Sequence, residues 1–105
     1  MRAGKLKDRI TIQKSIEKKD SSGSPYQEWE DYITLWADVQ PLDGKEFWEA
    51  QKSNAQISGI IEMRFRTDIN KTMRAKYGNR ILALINVYDP DERRRKIHLL
   101  YQEVE

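Results

Sequence analysis

Apolar and polar residues alternate with a period of two through most of this chain, and that alternation confines it to β-sheet. In Gln56 to Arg66, Ile57, Gly59, Ile61, Met63 and Phe65 share one face, while Ser58, Glu62, Arg64 and Arg66 fall mostly on the other. Ile10 and Ile12 alternate with Thr11 and Gln13 to give a first strand over Arg9 to Gln13. From Tyr26 to Val39 the odd positions Trp29, Ile33, Leu35, Ala37 and Val39 predict a second, long strand with a buried face, bulged near Asp31. Met73, Ala75 and Tyr77 form a short fourth run, and Gly78-Asn79 supplies a two-residue turn into a fifth, Arg80 to Tyr88. The fifth is apolar on both faces, which predicts a central position. A sixth strand covers Lys96 to Val104.

The segments between the strands are read from their breakers. Glu17 to Pro25 has no apolar residue and carries serines, a glycine and a proline, so it is expected to be an exposed, mobile loop. Pro41-Leu-Asp-Gly44 ends the second strand. Asp43 as N-cap, Glu46 three residues later, and Phe47, Ala50 and Gln51 on one side predict one short helix between strands 2 and 3. Tyr88 to Lys96 sets Asp89, Asp91 and Glu92 against Arg93, Arg94, Arg95 and Lys96 around Pro90, a charge-split turn suited to docking. The expected fold is all-β: a small six-stranded antiparallel barrel or sandwich with one short helix. It forms a single domain over residues 1–105, with a flexible N-terminal arm (1–8) and loops at 17–25 and 41–55.

Composition narrows the function. At 105 residues the chain is long enough for one self-sufficient core. It has no cysteine and one histidine, which excludes thiolate and polyhistidine metal sites. No apolar run approaches membrane-spanning length and none follows the basic N-terminus, so a cytosol-like compartment is expected. Nineteen basic and seventeen acidic side chains leave a net charge of +2. Dense but balanced charge favours protein contacts over a dedicated nucleic-acid role.

Reactive chemistry is missing from the sequence. His98 has no serine or aspartate placed to form a triad and is expected to be an ordinary surface or half-buried histidine. The carboxylates of Glu28-Trp-Glu-Asp31 and Asp89-Pro-Asp-Glu92 lie among bases and turns, as in a solvated charge face. Gly44, Gly59 and Gly78 are isolated and build no phosphate loop. The aromatics leave two roles open, with one of Trp29 and Trp36 free to face a partner and the helix that carries Phe47 and Trp48 either capping the barrel mouth or meeting a second subunit. Trp29 and Trp36 have opposite parity, so both can be core only if a bulge intervenes; Phe47 and Trp48 are adjacent and cannot both be buried by one surface.

Several blocks, in order, carry a resemblance. Met1-Arg-Ala-Gly-Lys-Leu-Lys-Asp-Arg-Ile-Thr-Ile-Gln13, Trp29-Glu, Leu35-Trp-Ala-Asp-Val-Gln-Pro-Leu-Asp-Gly-Lys-Glu-Phe47, Met73-Arg with Tyr77-Gly, and Asp89-Pro-Asp-Glu-Arg-Arg94 together resemble the head-tail joining family of tailed bacteriophages and prophages. The resemblance implies a β-barrel head-completion, head-closure or stopper protein without cofactor or covalent chemistry. Copies of such a protein form a ring below the portal and its adaptor, close the DNA channel and present a platform to the tail. Implied partners are portal and adaptor proteins, tail proteins, copies of the chain itself and packaged DNA, with no membrane and no small-molecule substrate. The implied locations are the bacterial host cytoplasm during assembly and the virion neck.

On that reading, the connection Pro41 to Asn54 is expected to reach the ring centre or a neighbour. Asp43, Lys45, Phe47, Trp48 and Lys52 are its candidate channel or subunit contacts. The arm residues Arg2, Lys5 and Lys7, the Ser21 to Pro25 loop, and Arg93, Arg94 and Arg95 are candidate docking or subunit contacts. The competing expectation is an OB-like barrel that binds single-stranded nucleic acid through Trp36, Phe65, Arg64 and Arg66.

Overall fold

The computed structural model describes residues 6–42 and 57–104. The described residues form six strands: β1 (Asp8–Lys19), β2 (Pro25–Pro41), β3 (Gly59–Arg64), β4 (Arg74–Tyr77), β5 (Arg80–Tyr88) and β6 (Lys96–Val104). They close into an antiparallel barrel in the order β1-β2-β3-β6-β5-β4. The helix expected from Asp43 onward lies outside the described residues.

The alternation read from the sequence becomes the inside and outside of the barrel. Ile10, Ile12, Ala37, Ile61, Met63, Ala75, Leu82, Ile97, Leu99 and Tyr101 meet in the interior, each at most 2% exposed. Packing inward from every strand gives a small barrel a solid core rather than a lumen. The fifth strand needs no special central place, because closure gives every strand two neighbours. Leu82 and Leu84 point inward, while Ile81, Ala83 and Ile85 are half-buried on the other parity.

Two bulges reset the parity. Ile12 pairs with Ile33 but Gln13 pairs with Asp31, so Tyr32 is the extra residue in β2. The bulge expected near Asp31 is therefore present, and it corrects one assignment. Ile33, Leu35, Ala37 and Val39 face the core, but on the far side of the bulge the odd position Trp29 turns outward, 37% exposed. Trp29 and Trp36 share the outer face. The second bulge, at Ile85, falls between Leu84↔Tyr101 and Asn86↔Leu100.

The β1–β2 hairpin outgrows the barrel. Pairing with β4 covers only Thr11–Gln13, and pairing with β3 covers only Asp38–Pro41. Lys14–Lys19 and Pro25–Glu30 consequently pair with each other alone, as a ribbon projecting about 20 Å at ~3.3 Å per residue. The loop expected over Glu17 to Pro25 shrinks to Asp20–Ser24, because Glu17–Lys19 and Pro25–Gln27 continue the ladder. Their polarity reflects a ribbon with solvent on both faces, which needs no apolar alternation. The turn is tied by the Asp20 carboxylate, which accepts from the Ser22 and Ser24 amides and the Ser22 hydroxyl at 2.9, 3.0 and 2.8 Å, with Gly23 at φ 85°. These bonds hold the Asp20 carboxyl below its ordinary pKa.

Candidate functional site

Where β2 and β3 part company the barrel opens a cleft. The ladder between them stops at Asp38↔Glu62, and beyond it Ile33–Trp36 of β2 stand across from Arg64, Phe65 and Arg66. The cleft measures 490 Å³ and is completed by Leu6 and Arg9. From its wall the Arg66 guanidinium donates twice to Asp68, at 2.9 and 2.8 Å, and the Tyr32 hydroxyl donates to the same carboxylate at 2.7 Å. The Arg66 bonds, helped by Tyr32, hold the Asp68 carboxyl far below the usual carboxylate range.

Arginines stack on two of the aromatic rings that line the cleft. The Arg9 guanidinium lies 4.8 Å from the Trp36 ring centre, and that of Arg94 lies 5.2 Å from Phe65. Arg64 is exposed and has no carboxylate partner among the described residues. Asp68 neutralises Arg66 only, so the cleft is cationic although the whole chain is close to neutral. Trp36, at 52%, is the most exposed large apolar side chain among the described residues. Trp36, Arg64, Phe65 and Arg66, singled out from the sequence as a stacking and phosphate surface, thus line one cleft together with Arg9, and Arg94 leans on its Phe65. Arg9 could have been found in the sequence from its cross-strand register with Trp36, but Arg94 is twenty-nine residues from Phe65 and only the fold shows the contact.

The charge-split segment 89–95 joins β5 to β6 and consumes much of its own charge. Arg95 pairs with Asp91 at 2.6 Å, the Arg94 amide donates to Asp89 at 2.7 Å, and the Arg93 amide donates to Asp91 at 3.2 Å. The Arg95 bond lowers the Asp91 carboxyl from 3.8 to about 2. Glu92 and Arg94 adopt φ 57° and 58°, the left-handed conformation that tightens the loop. The three arginines therefore differ: Arg95 is paired, Arg94 leans on the cleft, and Arg93 has no side-chain partner among the described residues.

A polar row crosses the outer face. Asp38, Glu62, His98 and Tyr88 stand in register on β2, β3, β6 and β5. His98 Nε2 is 3.0 Å and Lys96 Nζ 3.5 Å from Glu62 Oε1, and the Tyr88 ring meets His98 edge-on at 5.7 Å. Burial pushes the Glu62 carboxyl up, but the His98 hydrogen bond and the Lys96 charge outweigh it and leave the group below its ordinary value. His98 is half-buried, as expected, and acts as a structural partner. No metal-holding group of three or more His, Cys, Asp or Glu occurs among the described residues.

Of the other candidates, Lys7 is described and exposed. Arg2, Lys5, Asp43, Lys45, Phe47, Trp48 and Lys52 lie outside the described residues.

A family model described as phage head completion protein matches residues 1–104. The chain belongs to the phage head completion family. Among its relatives, head completion protein gp16 of Bacillus phage SPP1 is 32% identical over 78 residues, covering 74% of this chain and 72% of that protein. Head completion protein gp7 of Enterobacteria phage HK97 is 27% identical over 90 residues, covering 81% and 80%. The solution structure of protein SF1141 from Shigella flexneri 2a superposes with a TM-score of 0.77 at 37% identity, covering 98% of this chain and 96% of that one. A chain from the virion of a native gene transfer agent particle has the same fold, with a TM-score of 0.64 at 16% identity and coverage of 94% and 96%. The family's proteins are structural, so the head completion member described here has a structural role in the head–tail region of a phage particle. No catalytic activity is indicated for it.

Proposed function

We propose that this protein completes filled heads as a ring of copies beneath the portal and its adaptor, where it closes the DNA channel and offers the tail a surface to dock on. The match to the head completion family over residues 1–104 carries the reading. A charge-balanced barrel with a solid core and a projecting ribbon suits a part whose work is contact rather than turnover. Assembly takes place in the host cytoplasm, and the finished ring stays at the neck. The connection Pro41 to Asn54 is assigned to the ring centre or the adjacent subunit, and Arg2, Lys5 and Lys7 to the adaptor or tail.

Electron microscopy and DNA retention of heads made with and without the protein test this. Heads that stay full and join tails without it would sink the reading. Deleting Asp43 to Ser53 is expected to abolish retention while leaving the barrel folded. A second reading has its own observation: the cleft gathers Trp36, Phe65, Arg64 and Arg66, a combination that could stack bases and hold phosphates. Binding of single-stranded oligonucleotides that weakens steeply with salt would favour it.

A further inference from the structure

We infer that the cationic cleft of one subunit receives the acidic β1–β2 ribbon of a second copy, head to tail; the inference rests on the ring reading above and names the surfaces that would meet. The two ends of the chain's charge are physically separate. Between Lys14 and Asp31 the ribbon carries three lysines against five carboxylates, Glu17, Asp20, Glu28, Glu30 and Asp31. Asp20 ties the turn, Asp31 accepts from Gln13, and Glu28 faces Lys18 at 2.7 Å in the open. Glu17 and Glu30 have no hydrogen-bond partner among the described residues. At the cleft the imbalance is reversed: Arg9 and Arg94 are held only by ring faces and Arg64 by nothing described, while Asp68 answers Arg66.

Shape agrees with charge. On the β3 side, Ile33–Trp36 have no ladder partner, since pairing there begins at Asp38. That strand edge can take main-chain hydrogen bonds from an extended segment laid along it. A 490 Å³ cleft has room for side chains from a strand, not for a folded body. The ribbon supplies an extended segment, Pro25–Glu30, whose own β3-side edge is also unpaired and which sets Tyr26, Glu28 and Glu30 on one face, with Trp29 on the other beneath the Arg74 guanidinium. Because donor and acceptor surfaces are different parts of one chain, the contact is heterologous, and repetition of such a contact closes a ring when the rotation permits. A nucleic acid would find the same cations but would leave the acidic ribbon without a role.

The test uses the purified chain, isotope-labelled, with unlabelled chain added to about 1 mM. Amide resonances of Ile33–Trp36 and Arg64–Arg66 are expected to shift, together with those of Glu28–Glu30. Reversing the ribbon (Glu28→Lys with Glu30→Lys) or the cleft (Arg9→Glu with Arg64→Glu) should each weaken the association at least about tenfold, and mixing the two reversed chains should restore it. Neutral Gln versions at the same four positions serve if a reversal disturbs folding, with loss in each single face and no further loss on combining them. No shift at these amides, shifts confined to other surfaces, or simple additive loss without recovery would overturn the inference. So would tighter binding of an oligo-dT strand to the same amides than of the second copy. Failure here is separable from failure of the ring reading: heads that need the wild-type chain but accept both reversed chains equally refute the contact alone.

Discussion

Gly59 opens β3, and replacing it by alanine tests how closely the barrel is fitted there. A Cβ at Gly59 would lie 2.5 Å from the Gln40 carbonyl oxygen, 2.5 Å from the Tyr101 hydroxyl oxygen and 2.7 Å from Tyr101 Cε2, against at least 3.4 Å for an ordinary contact. The carbonyl belongs to the β2 backbone, which is laddered to β3 through Gln40↔Ile60 and Pro41↔Gly59, and Tyr101 is 1% exposed. Neither can step aside cheaply. Overpacking of this kind costs about 1–3 kcal/mol, offset by about 0.4–1 kcal/mol from the narrower unfolded ensemble of alanine. A net loss of about 1–2 kcal/mol lowers Tm by roughly 5–15 °C in a domain of this size. Thermal melts followed by circular dichroism measure it. In a Tyr101→Phe background, where the hydroxyl contact is gone but the carbonyl contact stays, the cost of Gly59→Ala should shrink by about 0.5–1 kcal/mol without vanishing. An unchanged or raised Tm for Gly59→Ala, or a cost indifferent to Tyr101→Phe, would refute the argument.

Other outcomes follow from single contacts. Asp8 joins distant strands by accepting from the Tyr77 hydroxyl at 2.7 Å and the Val39 amide at 2.9 Å, so Asp8→Ala should cost about 1–3 kcal/mol in urea unfolding. Glu62 has a native pKa below its unfolded value, so its stabilising contribution is complete above the ordinary glutamate range and fades as pH falls through the lowered native value. Glu62→Gln should therefore flatten the acid limb of stability against pH, and an unaltered limb would assign the acid response elsewhere. Glu92→Gly, which relieves a side chain at φ 57°, should leave Tm unchanged or raise it slightly, by up to about 1 kcal/mol of stability. Replacing Arg93, Arg94 and Arg95 by glutamine is expected to spare folding and impair assembly; intact assembly on heads would return the loop to a purely structural role.

Most of the barrel could be read from alternation because a core filled from every strand writes its period directly into the sequence. β3, β4, β5 and β6 fall where Ile61, Ala75, Leu82 and Leu99 require them. The signal fails where a strand has no core to face: Glu17–Lys19 and Pro25–Gln27 are polar because both ribbon faces meet water, and such polarity has the pattern of a loop. Trp29 departs from its expected face for a different reason, since one inserted residue at Tyr32 inverts every parity beyond it. The cleft was half legible. Its stacking residues stood out by type, but its existence depends on β2 and β3 diverging after Asp38↔Glu62, and nothing in a local pattern says where two strands separate.

The short seams at either side of the β1–β2 hairpin also bear on how the barrel moves. Three pairs tie it to β4 and four tie it to β3, whereas β3, β6 and β5 are joined by longer ladders. The hairpin is thus a stave set between the rims of a four-stranded sheet. Amide exchange should divide accordingly, with β3, β6 and β5 slowest and the ribbon beyond Gln13 fastest. An arm that can yield while the sheet stays whole would let the protein take up small misfits with the virion components it meets without losing its fold.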